Sequence, residues 1–160
     1  IIIVNIKIGG KINLIQKLWK NVYVCQFRSR LLPRNIWDFN WKVFYKVINT
    51  ESRLQKMNLS HGVCQLCKKD IEDIEHVLYS CECLNDFWTK IEHILQNINE
   101  HVSVDLKIII IGSLSRITNL LIHCAKCCVW KRRNRVIFQN EIVNFNNLWK
   151  GFLYHMLKQN

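Results

Sequence analysis

The sequence predicts a mostly α-helical domain, and three observations support this fold class. Apolar residues recur at three- and four-residue steps through most of the chain, which is the periodicity of amphipathic helices. A single proline occurs in 160 residues, and no linker is rich in Gly, Pro or Ser. Cys and His side chains near the middle are spaced like the ligands of one metal ion. We therefore expect a small helical domain stapled by a Cys₃His zinc knuckle.

The N-terminal part of the chain is expected to contain two helices. The first runs from Ile12 to about Val24, after two glycines that separate it from a segment that could be a strand ending at Ile8. A basic connector follows, and the second helix begins near Arg34, after Pro33. The positions that we expect this second helix to bury are Trp37, Trp41, Phe44, Tyr45 and Val47.

The central part is expected to contain two more helices, one on each side of the segment that carries the Cys and His residues. A short helix runs from Glu51 to Met57, with Thr50 as its N-cap and an acidic side chain in its first turn. An amphipathic helix follows the loop, from Leu84 to Ile98. The apolar face of this second helix carries Phe87, Trp88, Ile91 and Leu95.

The C-terminal part is expected to be helical as well. Residues 107–111 fit a strand or the core of a short helix, and the pattern does not decide between them. Ser113 or Ser115 is the expected N-cap of a long helix that reaches about Phe138. Asn144 could cap a last helix, whose apolar residues are Leu148, Trp149, Phe152, Leu153 and Met156.

Three segments are expected along the chain. Residues 1–27 are an N-terminal segment that could be the end of a preceding domain, residues 28–100 the zinc-binding domain, and residues 101–160 a basic helical region packed on it. Since the first residue is not Met, we expect the chain to be a piece of a longer protein. No aliphatic run approaches the roughly 20 residues of a membrane span, and no export signal is visible. An intracellular location, nuclear or cytoplasmic, is therefore expected.

The metal-ligand pattern is Cys64-x2-Cys67-x8-His76-x4-Cys81. Two thiolates separated by two residues can chelate one ion from a tight turn, and the later pair suits a short helix whose end presents both side chains. Four such ligands close a tetrahedron and leave no open position, which is the structural arrangement of zinc rather than the catalytic one. Two alternatives remain: the four residues fill the core, or Cys83 replaces Cys81 with a longer spacing.

A second cysteine cluster lies at His123-Cys124-x2-Cys127-Cys128. These residues fall within a helical apolar pattern, at steps of three and four residues. Cysteines with that period usually fill a core as small apolar side chains, so we favour core packing over a second metal site.

The formal net charge is +11, and it is unevenly distributed. Residues 1–69 carry +11, residues 70–105 carry −8 and residues 106–160 carry +8. Two basic arms thus flank an acidic middle, as expected of a protein that binds nucleic-acid phosphates. A solvated helix face with a buried tryptophan is the alternative interpretation of the C-terminal arm. The candidate contacts there are Lys126, Trp130, Lys131, Arg132, Arg133 and Arg135, and a second basic patch is Arg28, Arg30, Arg34, Lys42 and Lys46.

Several motifs occur in a fixed order between residues 28 and 140. They are Phe39-x-Trp41-Lys42-Val43, Thr50-x2-Arg53-Leu54, Cys64-x2-Cys67, Glu72-x2-Glu75-His76-x4-Cys81, Trp88, and Ala125-Lys126-x3-Trp130-Lys131-Arg132-Arg133-Asn134. This combination resembles the reverse-transcriptase zinc-binding domain at the C-terminal end of LINE-type, non-LTR retrotransposon polyproteins. The resemblance implies a structural Zn²⁺ held by Cys64, Cys67, His76 and Cys81. It also implies a role beside the reverse-transcriptase and endonuclease domains of the same polyprotein, helping to hold template RNA or target DNA.

The chain itself is not expected to be an enzyme. It contains no adjacent Asp-Asp pair of the polymerase type, no nuclease-like carboxylate constellation and no Gly-rich phosphate loop. We expect a non-catalytic accessory module that binds RNA, DNA or both through the phosphate backbone, with no membrane and no small-molecule substrate as partner. The alternatives are a protein-interaction scaffold that docks on the reverse-transcriptase body, or a degenerate remnant of an element.

Overall fold

The structure is a computed structural model, and it describes residues 33–98, 100, 102–113, 115–142 and 145–157. This part of the chain is mostly helical and has no strand apart from an isolated bridge between Val63 and Ile71, so the predicted fold class is confirmed. Its elements are α1 (Arg34–Phe44), α2 (Glu51–Gln55), a π-helical turn (His76–Ser80), a 3₁₀ turn (Glu82–Leu84), α3 (Asn85–Asn97), α4 (Leu106–Ile111), α5 (Arg116–Gln139) and α6 (Phe145–Leu157).

Helix α5 is the centre of the described fold. It packs against α1, α3, α4, α6 and the π-helical turn. All residues from 121 to 129 are buried, so this stretch is covered on every side, unlike an amphipathic surface helix. The C-terminal region thus shares one apolar core with the segment that carries the metal ligands. Core residues from both regions include Ile36, Val43, Val77, Leu78, Phe87, Ile91, Ile109, Ile122 and Phe152.

Helix α1 begins where it was predicted, but the prediction of its buried face was wrong. Trp41 and Tyr45 are 42% and 48% exposed, and Val47 beyond the helix is exposed too. The face turned to the core carries Ile36, Phe39, Asn40 and Val43. The α1 sequence offers two apolar stripes, and the more aliphatic stripe packs against α5.

A side-chain amide fixes this orientation of α1. Asn40 is fully buried, and its Nδ2 donates to the carbonyl of Ile36 at 2.8 Å and to that of His123 on α5 at 3.4 Å. A buried amide needs partners of this kind, because burial without them costs about 1–3 kcal/mol. The packing against α5 therefore decides which stripe of α1 is inside.

Several predicted elements are confirmed with altered details. Helix α3 buries the predicted face of Phe87, Trp88, Ile91 and Leu95. Residues 107–111 are helical, within α4, which Asp105 caps through the N–H of Ile108 at 2.8 Å. Ser115, rather than Ser113, caps α5 by accepting from the N–H of Thr118. The expected strand ending at Ile8, the helix of residues 12–24, most of the segment before Arg34 and the Asn144 cap lie outside the described residues.

Helix α6 covers the free side of α3. Leu148 and Phe152 are buried, and the ring of Phe87 meets the rings of Trp149 and Phe152 edge-on, at centroid distances of 6.3 and 6.0 Å. Edge-on pairs of this kind add about 0.5–1.5 kcal/mol beyond their buried area. Among the helices of the described residues, none combines the length and the apolar character that crossing a bilayer requires.

Candidate metal centre

Four side chains with metal-ligating atoms converge in the loop between α2 and α3. The sulfurs of Cys64, Cys67 and Cys81 and a ring nitrogen of His76 all lie within 4.8 Å of one another. Within this group, Cys67 Sγ and His76 Nε2 lie 3.4 Å apart. Zn–S bonds of about 2.3 Å and Zn–N bonds of about 2.0 Å place tetrahedral ligand atoms about 3.5–3.8 Å apart. The cluster therefore fits one tetrahedral ion with little rearrangement.

The first two ligands lie on a tight turn. The N–H of Leu66 points to Cys64 Sγ at 3.4 Å, and the N–H of Lys68 donates to the Cys64 carbonyl at 2.9 Å. The N–H of Cys64 in turn donates to the carbonyl of Asp70 at 2.8 Å, which closes the loop behind the turn. Backbone N–H groups aimed at a sulfur stabilise its thiolate form, which is the form that binds metal.

The last two ligands lie at the ends of a π-helical turn. The N–H of Cys81 donates to the carbonyl of His76 at 3.0 Å, which spans five residues instead of four. Five steps along an α-helix leave two side chains about 140° apart, so a regular helix would separate this pair. The sequence predicted a short helix here, and the wider turn explains how a spacing of His-x4-Cys brings both side chains to one side.

The two ring nitrogens of His76 face different groups. Its Nε2 faces Cys67, while its Nδ1 lies 4.0 Å from Oδ2 of Asp70, which is beyond hydrogen-bond distance. His76 is 7% exposed, and its own N–H donates to Oδ1 of Asp73 at 2.7 Å, so the backbone at this ligand is fixed.

The cysteine thiols share hydrogen bonds within the cluster. The hydrogen bond from Cys81 lowers the pKa of Cys64 to about 5, with support from the backbone N–H groups of Cys67 and Leu66. The same hydrogen bond raises the pKa of Cys81, because it is lost when that thiol ionises. The three sulfurs and the imidazole of the cluster suit a dication that prefers soft ligands.

The other cysteines of the described residues lie outside this cluster. Cys83 lies outside the group of four, on the 3₁₀ turn that follows Cys81. Cys124, Cys127 and Cys128 are buried on α5 as part of the apolar core, which confirms their interpretation as core residues. Burial raises the pKa of Cys128 to about 12, so this thiol stays protonated and behaves as a small apolar side chain.

Three of the predicted nucleic-acid contacts lie inside the protein. Lys126 is 1% exposed, and its Nζ donates to the Ile109 carbonyl at 2.7 Å. Arg132 is 5% exposed, donates to the Ile142 carbonyl and forms an ion pair with Glu141. Arg133 is 2% exposed. Side chains that are buried and hydrogen-bonded in this way do not reach a phosphate, so these three residues are not candidate nucleic-acid contacts.

Trp130 is not a candidate nucleic-acid contact either. Phe39 of α1 stacks on its ring at a centroid distance of 6.0 Å, and the guanidinium of Arg133 lies 4.9 Å from the ring centroid. The indole is partly buried between its neighbours and is not available as a platform for a base. Of the remaining predicted contacts, Arg34 and Arg135 are exposed, Lys131 is half-buried, and Arg28 and Arg30 lie outside the described residues.

The guanidinium of Arg133 joins α5 to the metal loop through two buried carboxylates. Its Nε donates to both oxygens of Glu72, at 3.1 and 3.3 Å, and its Nη2 donates to Oε1 of Glu72 at 2.6 Å and Oε1 of Glu51 at 2.8 Å. The two carboxylates are 0% and 7% exposed. Burial raises the pKa of Glu72, while the hydrogen bonds and charge of Arg133 act in the opposite direction. The Arg133 bonds therefore offset part of the burial that disfavours the ionised form of Glu72.

Glu72 also performs the capping that was predicted for Thr50. Thr50 occupies the N-cap position of α2 but makes no capping hydrogen bond with its side chain, whereas Oε1 of Glu72 accepts from the N–H of Glu51 at 3.0 Å. The N–H of Glu72 donates to the Gly62 carbonyl at 2.9 Å, beside the metal turn. The sequence did not predict this network. The only signal for it was the position of Glu72 in the motif before His76.

The buried Lys126 leads to a prediction about pH. Burial lowers its pKa to about 7, from about 10.4 in an unfolded chain, so the folded state binds fewer protons between these values. The free-energy cost of burying the charged Lys126 ammonium is thus greatest below pH 7 and declines as the pH rises toward 10. The two pKa values correspond to about 4–5 kcal/mol at pH 6, and Lys126→Met also leaves the Ile109 carbonyl without its donor. We therefore expect this variant to raise the unfolding free energy by about 3 kcal/mol at pH 6 and by clearly less at pH 9.

Urea unfolding of both proteins at the two pH values measures this difference. The exposed Lys56→Met is the matched control and should change stability little at either pH. A stability difference between Lys126→Met and the unmodified chain that stays constant from pH 6 to pH 9 would contradict the assignment of a buried, easily deprotonated lysine.

Comparison with known proteins gives one match. The family model described as zinc-binding in reverse transcriptase matches residues 10–88. These residues include all four members of the cluster and end within α3, so α4, α5 and α6 lie beyond the match. No curated protein and no solved structure shows significant similarity to the chain.

Proposed function

Because residues 10–88 belong to the reverse-transcriptase zinc-binding family, we propose that this chain is a non-catalytic accessory module of a reverse transcriptase of the LINE, non-LTR type. In this proposal, Zn²⁺ bound by Cys64, Cys67, His76 and Cys81 stabilises the fold, and basic side chains hold template RNA or target DNA by its phosphates. The reverse-transcriptase and endonuclease domains of the same polyprotein would be its neighbours.

The observation that carries the proposal is the closed set of four donors inside the matched segment. Three sulfurs and one imidazole satisfy a tetrahedral ion and leave no position for a substrate or an activated water, which is typical of structural rather than catalytic zinc. The matched family is likewise described by zinc binding and not by a reaction.

The nucleic-acid part of the proposal is supported by charge. The chain has 23 basic and 12 acidic side chains. Burial takes the carboxylates of Glu51 and Glu72 and the cations Lys126, Arg132 and Arg133 away from the surface, so the excess of basic side chains persists. The contacts that we propose are Arg34, Lys131 and Arg135 in the described part, with Arg28 and Arg30 before it.

Affinity for nucleic acid should fall steeply with salt. Each phosphate contact that is lost should reduce the slope of log K against log salt by about 0.9 for duplex DNA. We therefore expect Arg135→Gln to weaken binding and flatten this slope by about one contact, as measured by fluorescence anisotropy at salt concentrations from about 50 to 300 mM. The control is Lys69→Gln, because this exposed lysine is already paired with Glu82 at 2.6 Å and should contribute little.

Two results would count against this function. One is binding that does not depend on salt, and the other is no measurable affinity of the zinc-loaded chain for RNA or DNA. In the second case the scaffold alternative would gain, since exposed apolar side chains are present as well: Leu59, Phe138 and Ile142 are 71%, 76% and 84% exposed. That alternative predicts stable association with the polymerase polypeptide instead.

A further inference from the structure

Helix α1 presents an aromatic cluster on its outer face. The rings of Trp41 and Tyr45 lie one helical turn apart, with centroids at 4.5 Å, and the ring of Phe44 meets that of Tyr45 edge-on at 5.2 Å. Trp41 and Tyr45 expose 42% and 48% of their surface. Aromatic side chains usually dominate the core, so two paired, half-exposed rings on one helix face need a physical reason.

The surroundings of this cluster are basic. Lys42 and Lys46 follow Trp41 and Tyr45 directly in the sequence and are exposed. Nη1 of Arg53 donates to the Lys46 carbonyl at 3.1 Å, which brings a third cation to the same end of α1. Between residues 34 and 58 the acidic residues are Asp38, which is half-buried, and Glu51, which is buried against Arg133. The exposed and half-exposed side chains of this stretch therefore carry an excess of positive charge.

We propose that this aromatic face of α1, defined by Trp41, Phe44 and Tyr45 with Lys42, Lys46 and Arg53, binds unpaired bases of single-stranded nucleic acid. The proposal rests on the proposed function and adds to it the kind of strand and the site. A base would stack on the exposed indole or phenol ring while the neighbouring cations contact the phosphates on either side. A paired duplex hides the faces of its bases, so it offers the rings nothing to stack on.

Charge complementarity favours this occupant over a second copy of the chain. A symmetric self-contact would bring Lys42, Lys46 and Arg53 of one copy against the like charges of the other, which disfavours association. A polyanion with flat, apolar bases complements both properties of the face at once. The stacked Trp130 does not compete for this role, because Phe39 and Arg133 already contact its ring.

The test uses the complete zinc-loaded chain with three probes: a 12-nucleotide oligouridylate, a 12-nucleotide oligothymidylate and a 12-base-pair DNA duplex. Trp41→Leu keeps an apolar side chain but removes the aromatic face, whereas Trp41→Phe keeps an aromatic ring. Base stacking corresponds to a loss of at least about fivefold in affinity when the ring is removed. We expect that loss for Trp41→Leu on the two single strands, little loss for Trp41→Phe, and unchanged duplex affinity.

Further measurements separate the loss of stacking from unfolding and from a change in charge. Tyr45→Leu should reproduce the loss on single strands, and circular dichroism should show both leucine variants folded, since the two side chains are half-exposed. The salt slope of Trp41→Leu should stay that of the unmodified chain, because no phosphate contact is removed, whereas Lys42→Gln should lower it.

Several outcomes would overturn the inference while leaving the proposed function intact. These are single-strand binding by both leucine variants at the affinity of the unmodified chain, or equal losses on the duplex and the single strands. Self-association of the unmodified chain that Trp41→Leu abolishes would identify a second copy as the occupant instead. If the unmodified chain binds none of the probes, the proposed function itself fails.

Discussion

Cys64→Ser should remove the bound zinc and unfold the loop between residues 60 and 90. Cys64 is fully buried and its sulfur belongs to the four-donor cluster, so serine in its place removes one sulfur ligand. Structural zinc contributes on the order of 10 kcal/mol of folding free energy, which is comparable to the total stability of a domain. Zinc content by elemental analysis should fall from one ion per chain to near zero, and amide hydrogen exchange should accelerate in this loop.

Four further variants test the ligand assignment. His76→Ala should also lose zinc, whereas Cys83→Ser and Cys124→Ser should each keep one ion per chain, because neither cysteine belongs to the cluster. If Cys83→Ser lost the ion while Cys81→Ser kept it, the fourth ligand would be Cys83. Loss of zinc from Cys124→Ser without unfolding would place the metal in the α5 cluster instead.

Arg133→Met should destabilise the chain by about 3–5 kcal/mol, the usual cost of removing one partner from a buried ion pair. The substitution fills much of the same space but leaves the carboxylates of Glu72 and Glu51 in the core without their cation. Since a typical domain is stable by only about 5–15 kcal/mol, this change should bring the chain close to unfolding at room temperature. Urea unfolding with saturating zinc measures the loss.

A matched control lies on the same helix. Arg135→Met removes an exposed arginine two residues away and should change stability by less than about 0.5 kcal/mol. Equal effects of the two substitutions would show that Arg133 does not form the buried network. Arg133→Met should also weaken zinc retention against a chelator, because Glu72 hydrogen-bonds the backbone of Gly62, two residues before the first ligand.

The cluster of four residues that could hold a metal was predictable because its geometry is local. The spacing Cys-x2-Cys specifies a tight turn, and hydrogen bonds of the chain within a few residues create that turn. The apolar face of α3 was predictable for a similar reason, since its buried positions follow one unambiguous helical period. In both cases, the information that decides the structure lies within about a dozen residues.

The buried network and the surface of the long helix were not predictable in this way. Arg133 and Glu72 are 61 residues apart in the chain, and nothing in the local charge pattern around residues 131–135 distinguishes the buried arginines from exposed Arg135. Lys126 lies in the middle of a stretch of α5 that is covered on all sides. Which members of a run of basic residues are exposed depends on the helices that pack around them.

The helical class, the positions of most described helices and the four residues that could hold a metal follow from the amino-acid sequence. The buried face of α1, the basic side chains that remain at the surface and the capping of α2 by Glu72 instead of Thr50 follow only from the packing of the helices. The physical reason is that helical periodicity and ligand spacing are properties of neighbouring residues. Burial depends on which distant helix covers a side chain. A buried charge is tolerated only when a residue from another part of the chain pairs with it.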